Sequence, residues 1–210
     1  MTAKRNLTDD EQALFKQVTK VCGLELAIPH NLLVDDRASQ NVRKELEELG
    51  VDALGCCHRK TGEIVLFVER CRQAANELKA NPRHIELIVL VHEWAHLIQH
   101  WGHHPDAPVV WQDFPRLPQG SGTDKEDLAQ KAAYMALHGF ADGRALQRTM
   151  VLMADRQPTP YKNFLKDFAA WLESGEPPNE TLRELRRLLR VVRDAWPPED
   201  VIAQFPAFDA

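Results

Sequence analysis

The stretch IELIVLVHEWAHLI, from Ile85 to Ile98, constrains this chain more than any other. Ile85, Leu87, Ile88, Val89, Leu90 and Val91, followed by Leu97 and Ile98, are too dense to leave a polar stripe at helical spacing. A helix here is apolar nearly all round and must be buried. Asn81-Pro82 supplies its start, with proline at the first helical position, and Gly102 its stop after Trp101. The same helix carries His92, Glu93 and His96. Desolvating titratable groups costs several kcal/mol unless something compensates, so the burial of this helix is itself a reason to look for a compensating partner.

His92-Glu93-Trp94-Ala95-His96 has the form H-E-x-x-H. Residues four apart share one face of a helix, so both imidazoles can reach a single Zn2+. Glu93, one residue after the first histidine, can then accept a proton from a metal-activated water and act as general base. The metal lowers the pKa of that water toward 7. The ordinary alternative is a helix whose histidines bond to neighbours or reach solvent. His100, His103 and His104, near the end of the same helix, read as exposed residues with favourable placement by the helix dipole.

The rest of the chain frames this helix. Thr8 and Glu11 form a capping-box pattern, so a first helix follows them. ASQNVRKELEEL predicts a second, stopped by Gly50. VDALGCCH and EIVLFVE, joined by RKTG, predict a β-hairpin. RCRQAANELKA is helical in pattern. Residues 102–122 read as a Pro- and Gly-rich loop, and loops of that length inside a domain are often functional. Trp101, Trp111 and Phe114 flank or occupy it. The segment from Thr123 to Met153 predicts one long helix opened by a Thr123/Glu126 capping box, and Pro158 and Pro160 break it. YKNFLKDFAAWLES and ETLRELRRLLRVVRDAW predict two C-terminal amphipathic helices, the second with an Arg-rich solvated face.

Among 210 residues, 44% are hydrophobic and 27% charged, as expected of a globular chain with room for a sizeable core. The net charge of −5 makes nucleic acid an unlikely main partner. No apolar run is long enough to span a membrane, and no apolar run follows Lys4 and Arg5 to make a signal peptide. A cytoplasmic protein is expected. Cys22, Cys56, Cys57 and Cys71 contain no C-x-x-C pair. They read as reduced thiols, with the adjacent Cys56 and Cys57 on opposite faces of a strand rather than as a metal site.

The position six residues after the second histidine is Gly102, so the metzincin pattern fails. With its H-E-x-x-H helix followed by a helix bearing EDLAQKAA (Glu126 to Ala133) and HGFADGRA (His138 to Ala145), the chain resembles the gluzincin group of zinc peptidases. In that group a later helix of the form E-x-x-A-D-x-x-A provides a zinc-binding Glu and an orienting Asp. The resemblance implies Glu126 as first candidate for the third ligand, with Gln130 standing where the Asp would be. His138, with Asp142 in the Asp position, comes second, and Asp127 third. Tyr134 or His138 is placed to stabilise an oxyanion if Glu126 is the ligand. The order hairpin, helix, H-E-x-x-H helix over residues 51–150 is also distantly similar to peptidases of the ImmA/IrrE type. It implies an edge strand, residues 63–69, that binds extended substrate by β-addition.

The fold expected is α+β and mostly helical. A zincin-like domain covers residues 1–155, its core at 51–150, with a small antiparallel sheet, and residues 156–210 form a helical extension packed on it. The function expected is zinc-dependent peptide-bond hydrolysis, with a protein or peptide as substrate and Zn2+ as cofactor. The oligomeric state is left open. The alternatives are a non-catalytic regulatory or interaction protein that keeps the scaffold, and a DNA-linked regulator working through the Arg-rich helix.

Overall fold

The structure, a computed structural model, describes residues 2–23, 26–28, 31–35, 53–57, 63–101, 103–104, 107–110, 122–157, 161–162 and 165. The helix expected at 38–49 and nearly all of the C-terminal extension, its Arg-rich helix included, lie outside the described residues. Those that are described form a mostly helical α+β arrangement. β1 (Thr2–Asn6) leads into α1 (Asp9–Cys22). β2 (Asn31–Asp35), β3 (Gly55–Cys57) and β4 (Ile64–Phe67) complete a sheet. Then come α2 (Val68–Leu78), α3 (Pro82–Trp101), a two-stranded hairpin of β5 (His103–His104) and β6 (Ala107–Val110), α4 (Gly122–His138) and α5 (Gly143–Asp155). No described helix is long and apolar enough to cross a membrane.

α3 is the hub. It touches α1, α2, α4 and α5 as well as β3 and β4, so its apolar residues are covered on every side. Asn81 Oδ1 accepts the Arg83 N–H at 2.9 Å ahead of Pro82, which is how the chain starts a helix that deep in the core. Trp94, 1% exposed, meets Phe15 of α1 edge to face at 5.6 Å between ring centres.

The sheet has the order β1-β2-β4-β3 and is mixed, because β2 and β4 run parallel. The small antiparallel sheet expected is met in part: β1–β2, β3–β4 and β5–β6 pair antiparallel, and only the β2–β4 pair departs from it. The predicted hairpin is present, with Cys56 opposite Val65. However, the stretch 63–69 is not an edge strand. β4 lies between two partners and its four residues are all buried, and Val68 and Glu69 already belong to α2. A continuous apolar run such as IVLF signals a strand covered on both faces, which leaves open how many strands flank it. Among the described strands, the edge near α3 is β3. Cys56 and Cys57 pack on opposite faces, Cys56 with Val65 and Phe67, Cys57 with the main core.

Two further corrections concern segments read as uniform. The loop expected at 102–122 contains the β5–β6 hairpin. The single helix expected over 123–153 is two, α4 and α5, with a turn at 139–142. At Gly143 an added Cβ would lie 2.2 Å from the Leu137 carbonyl oxygen, so only glycine lets the chain double back there.

Glu11 ties three elements together. Its carboxylate takes both Arg5 Nη groups of β1 at 2.7 Å, Arg83 Nη2 of α3 at 3.0 Å and the Thr8 N–H at 2.9 Å, the last closing the expected capping box. Burial alone would raise its pKa. The Arg5 hydrogen bonds, the Thr8 N–H and the Arg5 and Arg83 charges outweigh that and bring it down to about 2 from an ordinary 4.5. A carboxylate with a depressed folded-state pKa stabilises the fold above its unfolded pKa, and that contribution fades as pH falls from about 4.5 to about 2. It is worth about 3 kcal/mol. Denaturant unfolding across this window should show that loss, and Glu11→Gln should flatten it while lowering stability at pH 7, since two arginines are left short of their partner.

Candidate metal centre

α3 places His92 and His96 one turn apart, and α4 packs against the same side of α3. Among the described residues this packing brings one group of metal-ligating type together: His92, His96 and Glu126. The two Nε2 atoms are 3.0 Å apart, and Glu126 Oε2 lies 3.2 Å from His92 Nε2 and 3.3 Å from His96 Nε2. The imidazoles stand perpendicular, their side chains 13% exposed and the Glu126 side chain 27%. Ligands about 2.1 Å from a tetrahedral ion stand about 3.4 Å from one another, so the three atoms are spaced as one small cation would hold them.

The protonation chemistry fits the same purpose. Burial by itself raises the Glu126 pKa, but the His96 charge and hydrogen bonds with both rings hold it well below the ordinary carboxylate range. The group is an anion at neutral pH. Ligation through Nε2 leaves the ring proton on Nδ1. At His92 that atom is buried and has no partner among the described residues, so its burial adds a cost of about 1–3 kcal/mol that the cluster must offset. Gln130, expected to orient a ring, does not meet His92 Nδ1. It is buried in the wall of the adjoining cavity instead. The donor set and its spacing fit a divalent cation.

The other candidates for the third position are elsewhere. Asp127 pairs with Lys131 at 2.7 Å. His138 is at the far end of α4, about 18 Å along the axis from Glu126 at 1.5 Å per residue. Asp142 is exposed beside the turn at the start of α5. Tyr134, a sequence candidate for stabilising an oxyanion, is 1% exposed inside the core, and its phenol is pushed up to about 12 by burial.

The phenol that does reach the cluster is Tyr161, which the sequence reading passed over. Burial, then the charges of Glu126 and Glu93 and a hydrogen bond to Glu126, push its pKa up, so it remains a protonated donor toward that carboxylate. Its ring centre is 6.0 Å from that of His92. The signal available in sequence was slight: one Tyr just past Pro160, at the head of an amphipathic pattern.

Glu93 is buried beside the trio at 8% exposure. Burial raises its pKa, the nearby imidazoles lower it, the Glu126 charge raises it, and the Cys57 backbone N–H lowers it by hydrogen bonding; the net shift is upward. That N–H is free to turn toward Glu93 because Phe67 N–H already bonds Leu54 O, and antiparallel strands alternate inward and outward pairs. β3 can come this close only because residue 55 is glycine. A Cβ there would sit 2.6 Å from Val89 Cγ1 and 3.3 Å from Glu93 Cγ. A cavity of about 330 Å³ opens beside these groups, lined by His92, Glu93, Gln130, Tyr161 and the apolar Leu54 and Met150 among others.

No protein-family model, no curated protein and no solved structure matches this chain.

Two outcomes check the geometry. Gly55→Ala should cost about 1–3 kcal/mol of stability through overpacking on Val89, read by urea unfolding. Tyr161→Phe should leave the fold intact and weaken divalent-metal affinity by about 10–100-fold, the usual effect of losing a partner that orients a ligand, read by competition with a chelating dye.

Proposed function

We propose that the chain is a zinc-dependent peptide hydrolase of the zincin kind, in which His92, His96 and Glu126 hold the ion and Glu93 is the general base. The observation that carries this reading is the approach of Glu126 Oε2 to within 3.2 and 3.3 Å of two imidazole nitrogens on a buried helix, with a second buried carboxylate alongside. Two imidazoles and one carboxylate are a donor set that zinc takes in hydrolytic sites, with a position left for water or substrate. When bound, the cation supplies Lewis acidity, which makes water acidic near pH 7 and polarises a carbonyl.

The chain's own groups do the rest. Glu93 accepts the proton of the attacking water and passes it to the leaving amine, and its apolar surroundings raise its basicity toward what proton transfer at neutral pH requires. The Cys57 N–H fixes the carboxylate's direction. Tyr161 holds Glu126 by its hydroxyl. Leu54, Val89 and Met150 give the cavity beside Glu93 an apolar wall. An extended peptide adds to β3, the strand edge beside Glu93, rather than to residues 63–69. Cys22, Cys56, Cys57 and Cys71 form no disulfide, which suits a reducing compartment, and we place the activity in the cytoplasm.

The same donors also serve iron(II) in oxygenases. Glu93 favours hydrolysis, because a buried base next to the first histidine has proton transfer as its use. Glu93→Gln should keep the fold and the bound zinc while cutting peptide hydrolysis by about 10²–10⁴-fold. Chelation should abolish turnover and added zinc restore it. Zinc-loaded protein that cleaves no peptide, or a Glu93→Gln variant as active as the parent, would sink the reading. A non-catalytic protein on this scaffold would keep its cellular effect in the Glu93→Gln variant.

A further inference from the structure

The cavity beside Glu93 does not end at the metal-binding trio. A second cavity of about 340 Å³ lies toward α2, where Arg70, Gln73 and Glu77 form part of its wall. Leu54, Met153, Arg156 and Gln157 belong to the walls of both. The two adjoin along Leu54 and Met153, and together we treat them as one trough from His92 and Glu93 to the side of α2. Each part has the size of a small-ligand site.

Arg156 stands where the two adjoin. It caps the C-terminus of α5 and reaches across to α2, where Nη1 donates to the Glu77 carbonyl oxygen at 3.4 Å. That bond is long and weak, and it is the one side-chain hydrogen bond Arg156 makes among the described residues. Most of its five N–H donors remain available. Arg70, by contrast, is committed: Nη1 donates to Ala53 O at 2.9 Å and the guanidinium lies 5.3 Å from the Phe67 ring centre. The Glu77 carboxylate accepts from Gln73 Nε2 at 3.1 Å and makes no ion pair with either arginine among the described residues. The wall thus carries two guanidinium charges against the one Glu77 carboxylate, a net balance that favours a carboxylate-bearing occupant placed at Arg156 and away from Glu77.

We propose that this trough selects its peptide by a carboxylate, gripped by Arg156, on the α2 side of the bond presented to Glu93. The proposal rests on the reading of Glu93 as the base of a peptide hydrolase. The carboxylate comes either from an Asp or Glu side chain or from the peptide's own C-terminus, and Arg156 is the specificity-determining residue. Arginine suits the task because its planar fork bonds a carboxylate through two parallel donors.

The test uses the full-length, zinc-loaded protein with fluorescent peptides that differ only in Glu, Gln or Lys at each position flanking the cleaved bond, each with a free or an amidated C-terminus. Cleavage is measured as kcat/KM and binding by anisotropy on the same peptides. At one position Glu should exceed Gln by about ten- to a hundredfold, the range of one hydrogen bond to a charged group. Arg156→Gln should bring that ratio toward one, Arg156→Lys should keep part of it, and Arg156→Glu should turn the preference toward Lys. Loss of the preference on C-terminal amidation assigns the carboxylate to the chain end, and indifference to amidation assigns it to a side chain. Cleavage of Glu, Gln and Lys peptides alike, or a preference unchanged in Arg156→Gln and Arg156→Glu, overturns the proposal and leaves the hydrolase standing. Arg156-dependent binding of carboxylate peptides without cleavage supports the trough's selectivity and removes the hydrolase. Neither binding nor cleavage overturns both.

Discussion

Three atoms rich in lone pairs, Nε2 of His92, Nε2 of His96 and Oε2 of Glu126, lie within 3.3 Å of one another in a largely buried position. Such crowding repels unless positive charge sits among the atoms, either as protons or as a metal ion. In water the groups would separate. Here α3 is packed on all sides and α4 is pressed against it, so the backbone fixes the crowding and the charge has to be supplied. The imidazole charge and the hydrogen bonds that face Glu126 hold its carboxylate ionised against the pull of burial.

The scaffold that enforces this is built from apolar burial, with a few polar clamps at the points where elements cross. Glu11 joins β1, α1 and the start of α3 through Arg5 and Arg83, and so fixes how α3 enters the core. Gly55 lets β3 lie against α3 closely enough for the Cys57 N–H to reach Glu93. Gly143 lets α5 turn back from α4, which sets Met150 and Met153 in the wall of the trough. Each sets a distance between packed elements, and in a close-packed interior such distances are not adjustable one at a time.

Much of this was legible in the sequence where the signal is local. The Thr8 capping box, the Pro82 start of α3, the hairpin of β3 and β4 and the two histidines one turn apart all follow from residues within a few positions of each other. What was not legible depends on pairing over distance. Periodicity cannot tell that IVLF has a parallel neighbour in β2, so β4 reads as an edge from its flanks alone. Glu126 and His138 sit on one helix, and only the way that helix packs decides that Glu126, not His138, joins the two imidazoles. Tyr134 and Tyr161 show the same limit. By helical spacing Tyr134 shares a face with functional candidates, but that face is the core, and the hydroxyl near Glu126 comes from beyond α5.

The separation in sequence has an energetic meaning. His92 and Glu126 are 34 positions apart, and Tyr161 arrives from later still, so nothing of the cluster survives in an unfolded chain. Any repulsion left among its members when no positive charge is supplied is a cost borne by the folded state alone, set against burial at about 25 cal/mol per Å² of apolar surface over the faces of α3, α4 and α5. A ligand that binds only the folded chain adds its binding energy to that balance. A cation among the three donors would act doubly: it would remove such repulsion, and it would link α3 to α4 through Glu126. The trough beside it is apolar along Leu54 and Met153 and charged at Arg156. There Arg156 makes one long hydrogen bond, to the Glu77 carbonyl oxygen, among the described residues.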